Sequence, residues 1–293
     1  MTPFPAWVVT PRLVIFLYMY MEKPSFFWSQ IVEIYQQVFS VLRKNPTVMF
    51  LFFAVAFFDL VALIVLYFAP SPPVSNVLAP IIRTFWGDYY LHYPNNFLLL
   101  PKLFGYAHFL TSTVLGVFVT GIIIKKIEAE TFGQKISTLS AAVPVIRKYL
   151  ALVAVWLISY GAFVFSLKGV LMLLPHNLGI QLVGGFLLGL VMQSILVFLL
   201  PALMIIKNSF FKTLLEGIRF GLKNMVLTSA LIFTPMLFAL GIAVARLFTP
   251  FFVRIHPELV LWVLCSSIVI TLLVDILVTS SATLLFLKVR HSK

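Results

Sequence analysis

Two carboxylic acids lie inside long apolar stretches of this chain. Asp59 is near the middle of the stretch 47–68, and Asp275 is near the middle of 259–287. Insertion scales assign a cost of about 2.5–3.5 kcal/mol to an Asp at the bilayer centre, so such residues usually face the interior of a helix bundle. The two acids are predicted to lie at one depth, and they would share a proton if their helices were neighbours.

Asp275 belongs to a polar stripe on its predicted helix. Five residues recur at every fourth position, which places them on one helix face. They are Ser267, Thr271, Asp275, Thr279 and Thr283. One interpretation is a path for protons or cations, or a site for a polar substrate. The other is structural, because hydroxyl groups and a protonated acid can also bond to backbone and join helices.

Two further apolar stretches carry small or polar residues at the same spacing. The residues are Gly185, Gly189 and Gln193 in 180–206, and His108, Ser112, Gly116 and Thr120 in 103–124. Together with the Asp275 stripe, they predict that the three returning stretches line the centre of the bundle. Close packing of helices at small residues is the alternative explanation.

A second candidate pair lies in the long segment 70–102 between the first two apolar stretches. Asp88 and His92 would meet if their surroundings are helical, and they are the one pair from which an enzyme acting on lipid could be sketched. No nucleophile stands beside a base there. The aromatic residues around the pair are also typical of the interfacial belts of membrane proteins.

Other chemistry finds little support in the sequence. Phosphate-binding, dinucleotide-binding, zinc-protease and serine-hydrolase motifs do not occur. Cys265 is the single cysteine, which excludes an intrachain disulfide and a cysteine-based metal cluster. No two histidines have the spacing of metal ligands. The sequence therefore predicts no catalytic residue, no metal and no cofactor, and we expect a protein that is not an enzyme.

The composition identifies the class of protein. Hydrophobic residues make up 61% of the 293 residues, charged residues only 10%, and the mean hydropathy is +1.08. An ordinary soluble domain is about 45–50% apolar and about 25% charged, so a soluble enzyme is excluded. Six stretches reach the roughly 20 residues that a spanning helix needs. They are 47–68, 103–124, 150–174, 180–206, 225–247 and 259–287, and they predict an all-α, six-span membrane bundle.

The basic residues predict the orientation of the bundle. The net charge is +12, which on a soluble protein would suggest nucleic acid. Of the 21 Lys and Arg residues, 16 fall on the side of both termini and 5 on the other side. The positive-inside rule then places both termini in the cytoplasm, and we expect a bacterial plasma membrane. The charge needs no nucleic-acid partner to explain it.

An amphipathic segment with a basic end precedes each outgoing span. Their apolar residues are Phe27, Ile31, Tyr35, Val38 and Leu42; then Ile136, Leu139, Val143 and Ile146; then Phe211, Leu214, Ile218 and Leu222. Such helices lie on membranes with Lys and Arg near anionic lipid headgroups, which are the expected partners beside other membrane subunits. The pattern predicts three hairpin repeats, at about 26–125, 134–207 and 209–288, within one domain at 25–293. Simple topological necessity is the alternative.

Residues 1–24 form an N-terminal extension with two open interpretations. The apolar run 13–21 is too short to span and lacks the cleavage site of a signal peptide. Met21 would be a natural start, in which case residues 1–20 are not translated. Otherwise the segment lies at the membrane interface.

The layout resembles certain bacterial six-span membrane families of poorly defined function, such as the membrane domain fused to some glycerophosphodiester phosphodiesterases. The resemblance rests on Leu214-Leu215-Glu216-Gly217 through Lys223-Asn224 and on Arg43-Lys44-Asn45-Pro46. It spans about residues 25–290 and brings no catalytic residues. We expect a non-enzymatic component in transport or envelope assembly. The alternatives are a proton-coupled secondary transporter using Asp59 and Asp275, and a membrane-embedded lipid enzyme.

Overall fold

The computed structural model of the chain describes residues 24–175 and 177–291, and all regular structure in these two ranges is helical. The all-α fold class predicted from composition is confirmed. The N-terminal extension lies outside the described residues, apart from Pro24.

Long helices follow one another with short connections. In chain order they are α1 (Pro24–Lys44), α2 (Thr47–Tyr67), α3 (Ser75–Trp86), α4 (Asn96–Thr131), α5 (Thr138–Leu173), α6 (Leu178–Leu196), α7 (Leu199–Ile205), α8 (Phe210–Lys223), α9 (Met225–Leu247), α10 (Thr249–Ile255) and α11 (Leu259–His291). A short 3₁₀ turn, Asp88–Leu91, separates α3 from α4.

Six of these units are long and apolar enough to cross a membrane, which confirms the predicted number of spans. They are α2, α4, α5, α6 with α7, α9 and α11. Two of the helices are much longer than the apolar stretches that predict them, since α4 and α5 each reach 36 residues. A helix can continue into polar surroundings, whereas the apolar stretch marks only the part that lipid requires.

The spans close into a ring. Helix α2 packs against α4 and α11, and the ring continues from α4 through α5, α6 and α9 back to α11. The first and last spans, which carry Asp59 and Asp275, are therefore neighbours.

The second predicted amphipathic segment is not a separate helix. It is the first part of α5, which runs from Thr138 to Leu173 without interruption. By contrast, α1 ends at Lys44 before Asn45-Pro46, and α8 ends at Lys223 before Asn224. The difference follows from the sequence, because no Asn, Gly or Pro stands at 147–149 to end the helix.

The predicted apolar face at the start of α5 is largely exposed. Leu139 and Ile146 are exposed, whereas Ala141 and Val145 are buried.

In α8 the buried residues are Thr213, Gly217 and Gly221, and the large Phe211 and Leu222 are exposed. Small residues let α8 approach α6 and α7 closely. Large apolar side chains need no protein cover where the surroundings are lipid, and lipid is what the sequence analysis places against this face.

Helix α1 instead buries its apolar face against protein, and it packs on the end of the bundle that carries Lys44, Lys125, Lys207 and Lys288. We call this the basic end. Ile31, Val38 and Leu42 are buried against the spans, and Lys288 Nζ lies 2.7 Å from Glu33 Oε2.

A tyrosine hydroxyl satisfies a backbone carbonyl of the fifth span. The Tyr35 hydroxyl donates a hydrogen bond to the Leu231 carbonyl in α9. Pro235, four residues later, has no N–H to donate to this carbonyl. Burial raises the pKa of Tyr35, so the phenol keeps the proton that it donates.

The two ends of the ring are packed differently. At the basic end Ile123, Phe198 and Phe286 are almost fully buried and form part of one apolar cluster, which we call the basic-end plug. In the parts of α5 and α6 that are far from the basic end, no described residue from 156 to 188 is buried. The α5–α6 hairpin is thus the loosely packed part of the ring.

Candidate functional site

A cavity of about 560 Å³ occupies the centre of the ring. All six spans contribute to its wall, and most of the lining residues come from α4, α6 with α7, and α11. These are the returning spans, whose small and polar stripes predict this position. The volume lies within the range of about 300–1,000 Å³ found for small-molecule sites.

Asp59 forms the centre of the polar wall, and its partner is His108. The Asp59 Oδ2 atom lies 2.8 Å from His108 Nδ1, which is hydrogen-bond distance. Asp59 is only 4% exposed, and its Oδ1 atom has no hydrogen-bond partner among the described residues. His108 in turn stacks on the buried ring of Phe104 at 6.1 Å. The pair thus joins a buried carboxylate, which has one unpaired oxygen, to an imidazole that is partly exposed to the cavity.

The local structure of α4 keeps His108 and later residues on the cavity side. Residues Ser112–Gly116 form a π-helical turn within α4. On an ideal α-helix, residues four positions apart are offset by about 40° around the helix axis, so a stripe at this spacing gradually leaves one face. The wider π-helical turn reduces this offset. Tyr149 of α5 donates a hydrogen bond to the Val114 carbonyl within this turn at 3.0 Å. Short π-helical turns of this kind are frequent at functional sites.

The hydroxyl stripe of α11 divides into two groups. Thr271, Asp275 and Thr279 line the cavity. Ser267 and Thr283 are buried outside it, where Ser267 accepts from Arg246 and Thr283 donates to the carbonyl of Thr279. The structural interpretation fits Ser267 and Thr283, and the functional interpretation stays a prediction for Thr271, Asp275 and Thr279.

Asp275 is open to the cavity but enclosed by protein. It lies within electrostatic range of both His108 and Asp59. No hydrogen bond joins Asp59 to Asp275 in the described chain. The sequence analysis expects the two acids to share a proton, but the hydrogen-bond partner of Asp59 is His108. The imidazole of the neighbouring α4 lies within hydrogen-bond distance of Asp59.

Arg246 of α9 places a permanent positive charge on the cavity wall, and the sequence analysis does not predict this position. The charge count assigns it to the outer side, yet it lines the cavity wall. Its Nη2 atom donates to Ser267 Oγ at 2.7 Å, and its guanidinium carbon lies 6.0 Å from the centre of the Phe104 ring. Its Nε atom has no partner within the described residues. The position of Arg246 four residues before Pro250, near the end of an apolar stretch, gave no signal of this role.

Aromatic rings form the opposite wall. Trp156 and Tyr160, four residues apart on α5, stack nearly parallel at 5.4 Å with an interplanar angle of 7°. Phe109 of α4 lies 5.3 Å from Trp156 and 4.9 Å from Tyr160. All three rings line the cavity, together with Phe163. The site therefore combines a charged wall with an aromatic wall.

The fourth span is broken beside the cavity. Gln193 lines the cavity near the end of α6, and the chain resumes as α7 after Val197–Phe198. Pro201 has no N–H for the Val197 carbonyl, which accounts for the break.

The far end of α7 is capped by a cation from α5. Lys148 Nζ lies 2.6 Å from the carbonyl oxygen of Leu203, one of the last carbonyls of α7.

The outer pair Asp88 and His92 does meet, with Oδ2 and Nε2 3.1 Å apart. The other carboxylate oxygen of Asp88 lies 2.7 Å from Arg83 Nε. These two hydrogen bonds, the one from Arg83 first, hold the pKa of Asp88 below its usual range. All three side chains are exposed, and the pair is a surface ion cluster without a binding cavity.

The histidines do not form a metal site in the described chain, where no group of three His, Cys, Asp or Glu side chains could hold an ion. His176 lies outside the described residues.

No family model, no curated protein and no solved structure matches this chain. The function has to be inferred from the cavity itself.

Proposed function

We propose that this integral membrane protein is a proton-coupled secondary transporter that binds its solute in the central cavity. The observation that carries the proposal is the hydrogen bond between the buried Asp59 and His108 on the cavity wall, which Asp275 and Arg246 also line. Intramembrane ionisable residues that face a cavity mark ion or substrate pathways. The protein has no enzymatic role in this proposal, and the exposed Asp88–His92 cluster has none in the transport step.

The packing of the ring supports alternating access. The basic-end plug closes the cavity toward one side, while the α5–α6 hairpin is loosely packed toward the other. The broken fourth span is another feature found where transporters bind solutes. Access to the other side would require the plug to separate and the hairpin to close.

We further propose that the protein lies in a bacterial plasma membrane with the basic end in the cytoplasm. The 16-to-5 distribution of Lys and Arg supports this orientation. The exposed Phe211 of α8 would insert among the lipid chains, and the adjacent Lys212 would bind anionic lipid headgroups. Reporter fusions after Lys293 and at Gly133 should give a cytoplasmic signal. A periplasmic signal at either position would contradict the orientation.

Access to the cavity from both sides of the membrane is the test of transport. In a Cys265→Ser background, Thr271→Cys places one thiol on the cavity wall, and Leu273→Cys places one on the outward face of the same helix. A membrane-impermeant maleimide is applied to right-side-out and inverted vesicles over a range of pH.

We expect Thr271→Cys to react from both sides, with a ratio that changes with pH, and Leu273→Cys to react from neither. Labelling of Thr271→Cys from a single side at every pH would refute transport. It would leave a structural subunit, for instance in envelope assembly, as the function.

A further inference from the structure

The cavity has a charge balance that can be counted residue by residue. In the described chain, five titratable or permanently charged side chains line it, each from a different span. They are Asp59 (α2), His108 (α4), Tyr160 (α5), Arg246 (α9) and Asp275 (α11). The remaining span contributes the neutral Gln193. Tyrosine is uncharged near neutral pH, so four groups decide the net charge.

The net charge of the cavity is either zero or −1, depending on whether one proton is bound. Arg246 offsets one of the two carboxylates. When His108 is neutral, the Asp59–His108 pair carries one negative charge, and one added proton makes the pair neutral. An uncompensated charge is costly on a group as buried as Asp59. The cavity is therefore stable with one additional positive charge, which a proton on the pair can supply.

A monovalent cation could supply the same charge. Asp275 is open to the cavity between the hydroxyl groups of Thr271 and Thr279, where it can receive a cation. The stacked rings of Trp156 and Tyr160 attract cations through their faces and bury apolar groups.

An inorganic ion fits this site poorly. Its volume of about 560 Å³ far exceeds what one ion fills, and the described residues hold no cluster of acids and histidines that could ligate one. A cation with an apolar body would use the carboxylate and the aromatic wall together.

Resting on the transport function proposed above, we infer that the cavity binds an organic monocation with an aromatic or apolar body and exchanges it for one proton. The cation brings one positive charge to Asp275. The Asp59–His108 pair releases one proton to water, so the net charge of the cavity is unchanged. Return of the proton to the pair then favours release of the cation.

Binding of phenyltrimethylammonium to the purified full-length protein tests this exchange. The charge of this probe is permanent, so any proton released comes from the protein. Calorimetry in two buffers of different ionisation enthalpy gives the number of protons. We expect about one proton released per cation bound. The affinity should rise about tenfold per pH unit while the pair holds its proton, and it should be constant at higher pH. The neutral isostere tert-butylbenzene and the anion benzoate should bind at least about tenfold more weakly.

Three variants assign the roles of the acids. Asp275→Asn should weaken phenyltrimethylammonium binding by about tenfold or more. Asp59→Asn should abolish proton release and the pH dependence of binding. The control is Asp88→Asn, which makes the same change on the surface, outside the cavity, and should alter neither. If a cavity variant does not fold, the comparison of the three probes on the unaltered protein still decides the outcome.

Failure of this inference can be told apart from failure of transport. The substrate class is wrong if phenyltrimethylammonium does not bind, if tert-butylbenzene binds equally well, or if benzoate binds in its place through Arg246. The exchange is wrong if the cation binds without releasing a proton at every pH tested. In each case, labelling of Thr271→Cys from both sides would still support transport of another solute.

Discussion

The close approach of α8 to the end of α6 leads to a sharp prediction for Gly221→Ala. A Cβ atom added at Gly221 would lie 2.8 Å from Ile195 Cα and 2.9 Å from Ile195 C, and it would also overlap the Ile195 carbonyl oxygen. All three are backbone atoms, so no side-chain rotation can relieve the overlap. The two helices would have to separate by about 0.6 Å before the added methyl group lay at the ordinary 3.4 Å from the α-carbon of Ile195.

The expected cost follows from this geometry. Overpacking of a tightly packed region costs about 1–3 kcal/mol, and three overlapping backbone atoms place Gly221→Ala near 3 kcal/mol. At roughly 2–4 °C per kcal/mol, the unfolding temperature in detergent should fall by about 6–12 °C. Gly217→Ala should cost less, because its nearest neighbour at 3.0 Å is the movable Leu199 Cδ2.

The control is Gly241→Ala in α9, where nothing lies within 4 Å of the added methyl group. Alanine has the higher helix propensity, so this variant should be neutral or up to about 1 kcal/mol more stable. Thermal unfolding of the three variants, followed by circular dichroism, gives the comparison. If Gly221→Ala unfolds at the same temperature as Gly241→Ala, the close approach of α8 to α6 is wrong.

Three further changes test other interactions. Tyr35→Phe leaves the Leu231 carbonyl without its donor, and we expect a loss of about 1–3 kcal/mol in thermal unfolding; an unchanged unfolding temperature would argue against the bond. Lys148→Met removes the cation at the end of α7, and faster amide exchange in residues 199–206 should report the loosened helix end, whereas unaltered exchange would show the cap to be dispensable. Arg83→Gln should raise the pKa of Asp88 toward its usual range, as measured by NMR titration. Because the pKa of Asp88 is depressed, the ion cluster is present above the ordinary pKa of an Asp and is lost as the pH falls through the lowered value; a titration midpoint that does not move on Arg83→Gln would exclude Arg83 as the cause.

The spans could be predicted from the sequence because lipid imposes a simple condition. About 20 apolar residues are needed to cross a bilayer, and stretches of this length are visible without knowledge of any tertiary packing. The inward position of Asp59 and Asp275 follows from the same condition, since a carboxylate is costly in lipid.

The partners of these acids could not be predicted, because they depend on which helices are neighbours. His108 is 49 residues from Asp59, and the ring that brings them together is set by side-chain packing. The position of Arg246 on the cavity wall could not be predicted for a related reason. Charge counting treats a basic residue near the end of a span as part of a loop, whatever its side chain reaches.

The amphipathic segments show a different limit. Periodicity identifies the apolar face of α8 and predicts that lipid covers it, but it does not identify the small residues, such as Gly217 and Gly221, that face the neighbouring helices. The predicted threefold repeat and the resemblance to six-span families stay predictions.

Closure of the ring between α2 and α11 has a consequence for how the protein is made. Chain synthesis proceeds from the N-terminus, yet α1 binds to Leu231 and Lys288, near the other end of the chain. Helix α1 is therefore made well before its partners and waits for them until the fifth and sixth spans have been inserted. Asp59 is likewise without the wall of α11 until the last span arrives. Premature termination after α9 would leave the cavity open to lipid along its whole length, so such fragments should be targets for membrane proteases.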